Sequence, residues 1–182
     1  MKTDVRWDEP AVSPTDREAV IDALERAPRI VVPLVREVPR SLLKRRPPSG
    51  KWSAHEHACH LAVVHDLFFH RLEQILASPR PIITPYDPGT DDPTDALLAR
   101  DLDQALAAYE ADRQRLVARL RVLRAEDWSR TAEHGEYSHY SVLIMFRHLA
   151  LHDFFHAYRI EELLLAREWT DEWRAARGEA PR

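Results

Sequence analysis

From about Thr15 to Arg167 the apolar residues of this chain recur at three- and four-residue intervals in four long stretches, and no stretch alternates apolar with polar residues convincingly enough to be a strand. An all-α fold follows. The first helix is expected from about Thr15 to Val38, opened by a capping box of Thr15 and Glu18, with Pro28 and Pro33 kinking or splitting it. A basic, proline-rich connection through Arg45, Arg46, Pro47, Pro48 and Gly50 leads to Trp52 and a second capping box, Ser53 with Glu56. The second helix then spans about Ala54 to Ala77, with Leu61, Val64, Phe68, Leu72 and Ile75 on its inward face.

A loop carrying Pro79, Pro81, Pro85, Pro88 and Pro93 follows, longer than an antiparallel hairpin needs and able to cross over the end of a bundle. The third helix is expected from about Asp95 to Leu123 behind Thr94, with Leu98, Leu102, Ala105, Tyr109, Leu116 and Leu120 as its inner stripe and its Arg and Glu positions in solvent. A polar loop through Trp128, His134, Gly135 and His139 leads to the fourth, from about Val142 to Arg167 behind Ser141. The tail after Trp169 is polar.

Length and charge narrow the class further. A chain of 182 residues is the size of one domain and can bury a core without disulfide or metal staples. The single cysteine, Cys59, excludes an internal disulfide, suits a reducing compartment and reads as a small buried hydrophobe. The start, Met1-Lys2-Thr3-Asp4, lacks the apolar core of a signal peptide, so a cytoplasmic location is expected. Net charge is −4, with 26 basic residues interspersed among 30 acidic ones, which argues against a nucleic-acid partner. The most apolar segment, Val142 to Ala166, is interrupted by Arg147, Asp153, Arg159, Glu161 and Glu162, which argues against a membrane span.

Histidine is where the chemistry concentrates. Eight of the ten fall on two helices: His55, His57, His60, His65 and His70 on the second, His148, His152 and His156 on the fourth. The last three follow an i, i+4, i+8 spacing that stacks their rings along one side of a helix, so two successive members can chelate one ion. The apolar stripe of Val142, Met145, Leu149, Ile160 and Leu163 brackets His152 and His156 and leaves His148 nearer its edge. Three neutral imidazoles with an open position form the arrangement of a catalytic zinc site. A third ligand is expected from the second helix. Periodicity leaves His57 and His60 as candidates there, His57 well centred on the inward stripe and His60 toward one side of it.

The segment Trp52-Ser53-Ala54-His55-Glu56-His57-Ala58-Cys59-His60-Leu61, together with His148-x-x-x-His152-x-x-x-His156, resembles the DinB/YfiT-like family of metalloenzymes. The likeness covers most of the chain. It implies one DinB-like domain over residues 1–182, with a core from about 15 to 167, folded as a four-helix bundle with a long crossover between helices two and three. It also implies a mononuclear site of three histidines whose first member sits eight residues after the tryptophan, which here is His60. The other two map onto His152 and His156.

Two departures from the family pattern are Asp153, where many relatives carry glutamate, and Arg159, where they carry glutamine. Arg159 is a candidate for orienting an anionic or thiol-bearing substrate, with a surface ion pair to Glu162 or Asp153 as the simpler role. Glu56 is a candidate general base or hydrogen-bond partner of a ligand, with its capping role the favoured explanation. Asp153 and Asp66 should point off the chelating face to the surface. Trp52 should plug the bundle end or wall a pocket.

Characterised relatives include S-transferases that use bacillithiol- or mycothiol-type thiols. The resemblance therefore implies a divalent-metal-dependent thiol S-transferase or related hydrolase acting on a small-molecule substrate. Zinc is the first expectation for the metal, with nickel, iron or manganese as alternatives; a low-molecular-weight thiol is the second cofactor and a homodimer the compatible assembly. The alternative is a non-catalytic metal-binding or stress-response bundle. A di-iron carboxylate site is set aside, because the sole Glu-x-x-His spacing, Glu136 to His139, falls in a loop.

Overall fold

The computed structural model describes residues 12–86, 95–166 and 178. The chain start, Pro88, Pro93, Thr94, the expected helix end at Arg167 and, Gly178 apart, the tail after Trp169 lie outside the described residues.

Four helices carry the architecture: α1 (Pro14–Glu37), α2 (Ala54–Ala77), α3 (Leu102–Arg121) and α4 (Val142–Leu165). The ends of α2 match the sequence expectation, because Ser53 and Glu56 form the capping box that satisfies the first backbone donors. Ser141 caps α4 in the same way, accepting from Ile144 N. The start of α1 corrects the expectation: Ser13 and Asp16 form the capping box, not Thr15 and Glu18, and Pro14 takes the first helical position, where a missing N–H costs nothing. Pro28 and Pro33 do not split α1, which runs on to Glu37 with both inside it.

The start of α3 is also corrected. Residues 95–99 form a turn in which Asp95 has φ 65°, and the helix begins only after Asp101, whose carboxylate accepts from Gln104 N. Two-residue strands β1 (Ile82–Ile83) and β2 (Glu133–His134) pair in parallel, tying the long α2–α3 connection to the α3–α4 connection. They are too short to leave an alternating pattern in the sequence. No helix among the described residues is long and apolar enough to cross a membrane.

Each of α1 and α2 packs on both α3 and α4, so α1 faces α2, and α3 faces α4, across the diagonals of the bundle. Side-chain pairs give the directions. His65 lies 3.9 Å from Asp112, and Arg119 donates to Glu73 at 3.1 Å, so α2 and α3 run parallel. His57 meets His156 and His60 meets His152, so α2 and α4 run antiparallel. Adjacent parallel helices cannot be joined by a tight turn, because the chain must return the length of a helix. That return explains the long connection between residues 77 and 102.

Most of the apolar core falls into two large clusters, beside a small third one of Cys59, Leu97 and Ala105. One gathers Leu24, Phe68, Leu72, Leu116, Trp128 and Phe146; the other gathers Val31, Leu61, Leu106, Tyr109 and Ile160. Between them runs a layer of buried polar groups: His60, His65 with Asp112, Arg113 with Asp153, and His156. Asp153 corrects the surface expectation, for it is fully buried and bonded bidentately by Arg113, with Nε and Nη2 each 2.7 Å from a carboxylate oxygen. Tyr109 Oη donates to the same carboxylate at 3.0 Å. Burial pushes the Asp153 pKa up, but the Arg113 charge and its bonds outweigh that and hold it below the ordinary carboxylate value. Arg113 equally corrects the expectation that the arginines of α3 are solvated.

Asp153→Ala leaves a buried guanidinium uncompensated and should cost about 3–5 kcal/mol in urea unfolding, most of it recovered in the Arg113→Met/Asp153→Leu double variant. Full loss in the double variant would contradict the pairing.

His55 and His65 serve the fold. His55 Nε2 lies 3.1 Å from Leu97 O, and His65 faces Asp112. Burial, as the largest influence, lowers both below the ordinary histidine value of 6.5. The unfolded chain therefore takes up these protons first as pH falls, and stability drops through that range. The urea midpoint should fall between about pH 7.5 and about pH 5.5, and His65→Leu should flatten the slope. An unchanged slope in that variant would show that His65 takes up its proton equally readily in the folded and unfolded chain.

Candidate metal centre

Antiparallel packing brings the first turns of α2 against the last turns of α4. His152 Nε2 stands 3.1 Å from His60 Nε2 and 3.0 Å from His156 Nε2, and one ligand atom from each ring lies within 4.8 Å of the others. His152 and His156 are one helical turn apart, which stacks their rings; His60 enters from the facing helix. His60 and His156 are buried, and His152 is partly exposed.

His57, the other sequence candidate, does not join the convergence. Its Nδ1 lies 2.7 Å from Nδ1 of His156, on the edge of that ring opposite the atom facing His152. His148 is exposed, with its ring 6.2 Å from that of Tyr137.

The electrostatics favour neutral rings. Burial, reinforced by His152 and His57, pushes His60 down to about 3; burial, then Arg159, pushes His57 down to about 4. Burial with His152 and His60 drives His156 further still below the ordinary value. Buried imidazoles that stay unprotonated keep their lone pairs available.

Those lone pairs are not satisfied by one another. An imidazole nitrogen has one in-plane position, so His152 Nε2 cannot bond well to both neighbours. Ligand nitrogens on a tetrahedral ion stand roughly 3.3 Å apart, close to the two short separations found here. The residues present therefore fit a divalent cation, which would accept all three lone pairs at once.

Around the cluster, Trp52 packs its ring 4.8 Å from His60 and nearly parallel to His156 at 6.0 Å, so it walls the site. Tyr86 lies 6.2 Å from His60 by ring centroids. Glu56 is held by its cap and by Arg46, whose Nε donates to both carboxylate oxygens at 3.1 and 3.0 Å. Arg159 pairs with Glu162 on its own helix. Cys59 is fully buried, and burial pushes its thiol up to about 11, well away from thiolate character at neutral pH.

The periodicity of the sequence missed the contact of His57 with His156 and the ion pair of Asp153. The paired spacing of His57/His60 and His152/His156 held a signal for the first, since antiparallel helices match the earlier member of one pair to the later member of the other.

A sequence model of the DinB superfamily matches residues 23–160 of the chain. No curated protein matches it. Among solved structures it is similar to YfiT from Bacillus subtilis, described as a probable metal-dependent hydrolase with an unusual four-helix bundle topology. The TM-score is 0.78 at 22% identity, over 88% of this chain and 92% of that one. With a family model spanning more than half of its length, the chain belongs to the DinB superfamily.

Proposed function

We propose that His60, His152 and His156 hold one divalent metal ion and that the protein is a metal-dependent enzyme acting on a small electrophilic substrate, with water or a low-molecular-weight thiol as the nucleophile. The convergence of three buried or half-buried imidazole nitrogens, with burial holding His60 and His156 well below the ordinary histidine value, carries this reading. A divalent ion bound there supplies Lewis acidity and lowers the pKa of a nucleophile at neutral pH.

The protein's own groups divide the remaining work. The three histidines bind through nitrogen and, supplying only three ligands, leave room for a nucleophile. Trp52 excludes water from one side. Cys59 is kept protonated and is not the nucleophile, and Glu56 is occupied by Arg46 and its helix cap. No general base is therefore assigned to it. Arg159 sits near enough to depress His57 electrostatically and, once released from Glu162, could meet an anionic group of a substrate.

Zinc suits three imidazoles best, with nickel, iron or manganese as alternatives. The similarity to YfiT supports hydrolysis, and the wider family resemblance supports thiol transfer. A cytoplasmic, homodimeric thiol S-transferase is the finer form of the same proposal.

Elemental mass spectrometry of tag-free protein should find about one zinc, nickel, iron or manganese per chain, lost in His60→Ala and in His152→Ala. No metal after reloading would refute the site. Screening water and thiol nucleophiles against electrophiles should then give turnover that chelation and His60→Ala abolish. Turnover indifferent to metal removal would refute the enzymatic reading, and a metal that raises Tm without any turnover would identify a stabilised, non-catalytic bundle.

A further inference from the structure

Resting on the metal site proposed above, we infer that His57 is the positioning residue of that site: its Nδ1 accepts the Nδ1–H of His156 and holds that ring in the tautomer that turns Nε2 toward His60 and His152.

Proton counting leads there. A neutral imidazole carries one proton, and a ligating nitrogen must be bare. His156 presents Nε2 to His152 at 3.0 Å, so when it ligates, its proton is on Nδ1. Nδ1 of His156 points at Nδ1 of His57, 2.7 Å away, between two buried rings. Two N–H groups cannot face each other at that distance, so His57 Nδ1 is the bare acceptor and its proton sits on Nε2. That Nε2 is buried without a hydrogen-bond partner among the described residues, beside Trp52, whose ring meets His57 edge-on at 5.6 Å. With the bond reversed, His57 would donate and the His156 proton would move to Nε2, aimed at His152 and blocking ligation. One hydrogen bond thus separates a competent ligand set from an incompetent one.

Among the described residues, His156 alone of the three is held in this way. Nδ1 of His60 and Nδ1 of His152 have no hydrogen-bond partner among the described residues, and the nearest carboxylate to His152 is Asp153, at 4.0 Å. His57 is also excluded as a fourth ligand, because it addresses the far edge of His156 rather than the convergence. Trp52, stacked within 22° of the His156 plane, limits the same ring from its face. Hydrogen-bond partners that orient a metal-binding histidine typically contribute 10- to 100-fold in metal affinity.

Zinc affinity of chelator-stripped, reloaded protein should be measured by competition with a chromophoric chelator for wild type, His57→Leu, His57→Asn and His60→Ala. The leucine variant, which fills the space without an acceptor, should bind about 10- to 100-fold more weakly. The asparagine variant, which keeps a carbonyl oxygen at the depth of Nδ1, should stay within about threefold of wild type. Long-range 15N–1H NMR of the zinc-loaded wild type should show His156 protonated at Nδ1 and His57 at Nε2, a reading that stands even if the leucine variant fails to fold. Wild-type affinity in His57→Leu, with zinc lost in His60→Ala, would overturn this inference alone, as would a proton on His57 Nδ1. A wild type that binds no zinc or other divalent metal would overturn it together with the metal site.

Discussion

The ion pair between Arg113 and Asp153 joins two helices that face each other across the diagonal of the bundle, and it sits in the polar layer dividing the two apolar clusters. Such a pair contributes little net stability, since the desolvation of two charges offsets their attraction. Its effect is selective. Any other register of α3 against α4 would leave a carboxylate and a guanidinium buried apart, an arrangement several kcal/mol worse, of the order of 3–5. Because Asp153 directly follows His152, pinning it to Arg113 also fixes the rotation of α4. The same rotation aims His152 and His156 at α2.

The topology does the rest of the positioning. Parallel packing of α2 on α3 requires a long return, and that return ends in a turn whose Leu97 and Leu98 carbonyls receive His55 and Lys44. Arg46 bridges Glu56 and Asp95 across the same junction. The first two turns of α2 are thereby buried on every side, from Ala54 through Leu61. An exposed helix end would leave His57 and His60 in water and protonated near their ordinary values; enclosed, both remain neutral.

That enclosure also explains what could and could not be read from the residues. The starts of α2 and α4 were legible because Ser53, Glu56 and Ser141 are strong local signals acting where no competitor stands nearby. At α1 two capping boxes overlap, Ser13 with Asp16 and Thr15 with Glu18, and Pro14 at the first helical position decides between them. The start of α3 was read too early because a turn with one left-handed residue, Asp95, carries helix-forming composition after it. In the site, His152 and His156 were readable from an apolar stripe, whereas His57 and His60 were not separable by periodicity, since eight consecutive residues there are all buried. Asp153 was misread for the opposite reason. It lies off the chelating face as expected, but in a four-helix bundle that direction points to the centre, where the long side chain of Arg113 is waiting.

The order of the helices along the chain has a temporal side. His60 and His152 are separated by 92 residues, with all of α3 between them. At ribosomal rates of roughly 5–20 residues per second, α2 is out for between about 5 and about 18 seconds before its partner on α4 is made. Through that interval His60 has no ligand set to join, and the i, i+4 pair on α4 completes the centre when that helix docks. For the proposed metal site this means that selectivity would be exercised by a finished fold with fixed ring positions, not by a growing chain open to whichever imidazole-seeking cation reached it first.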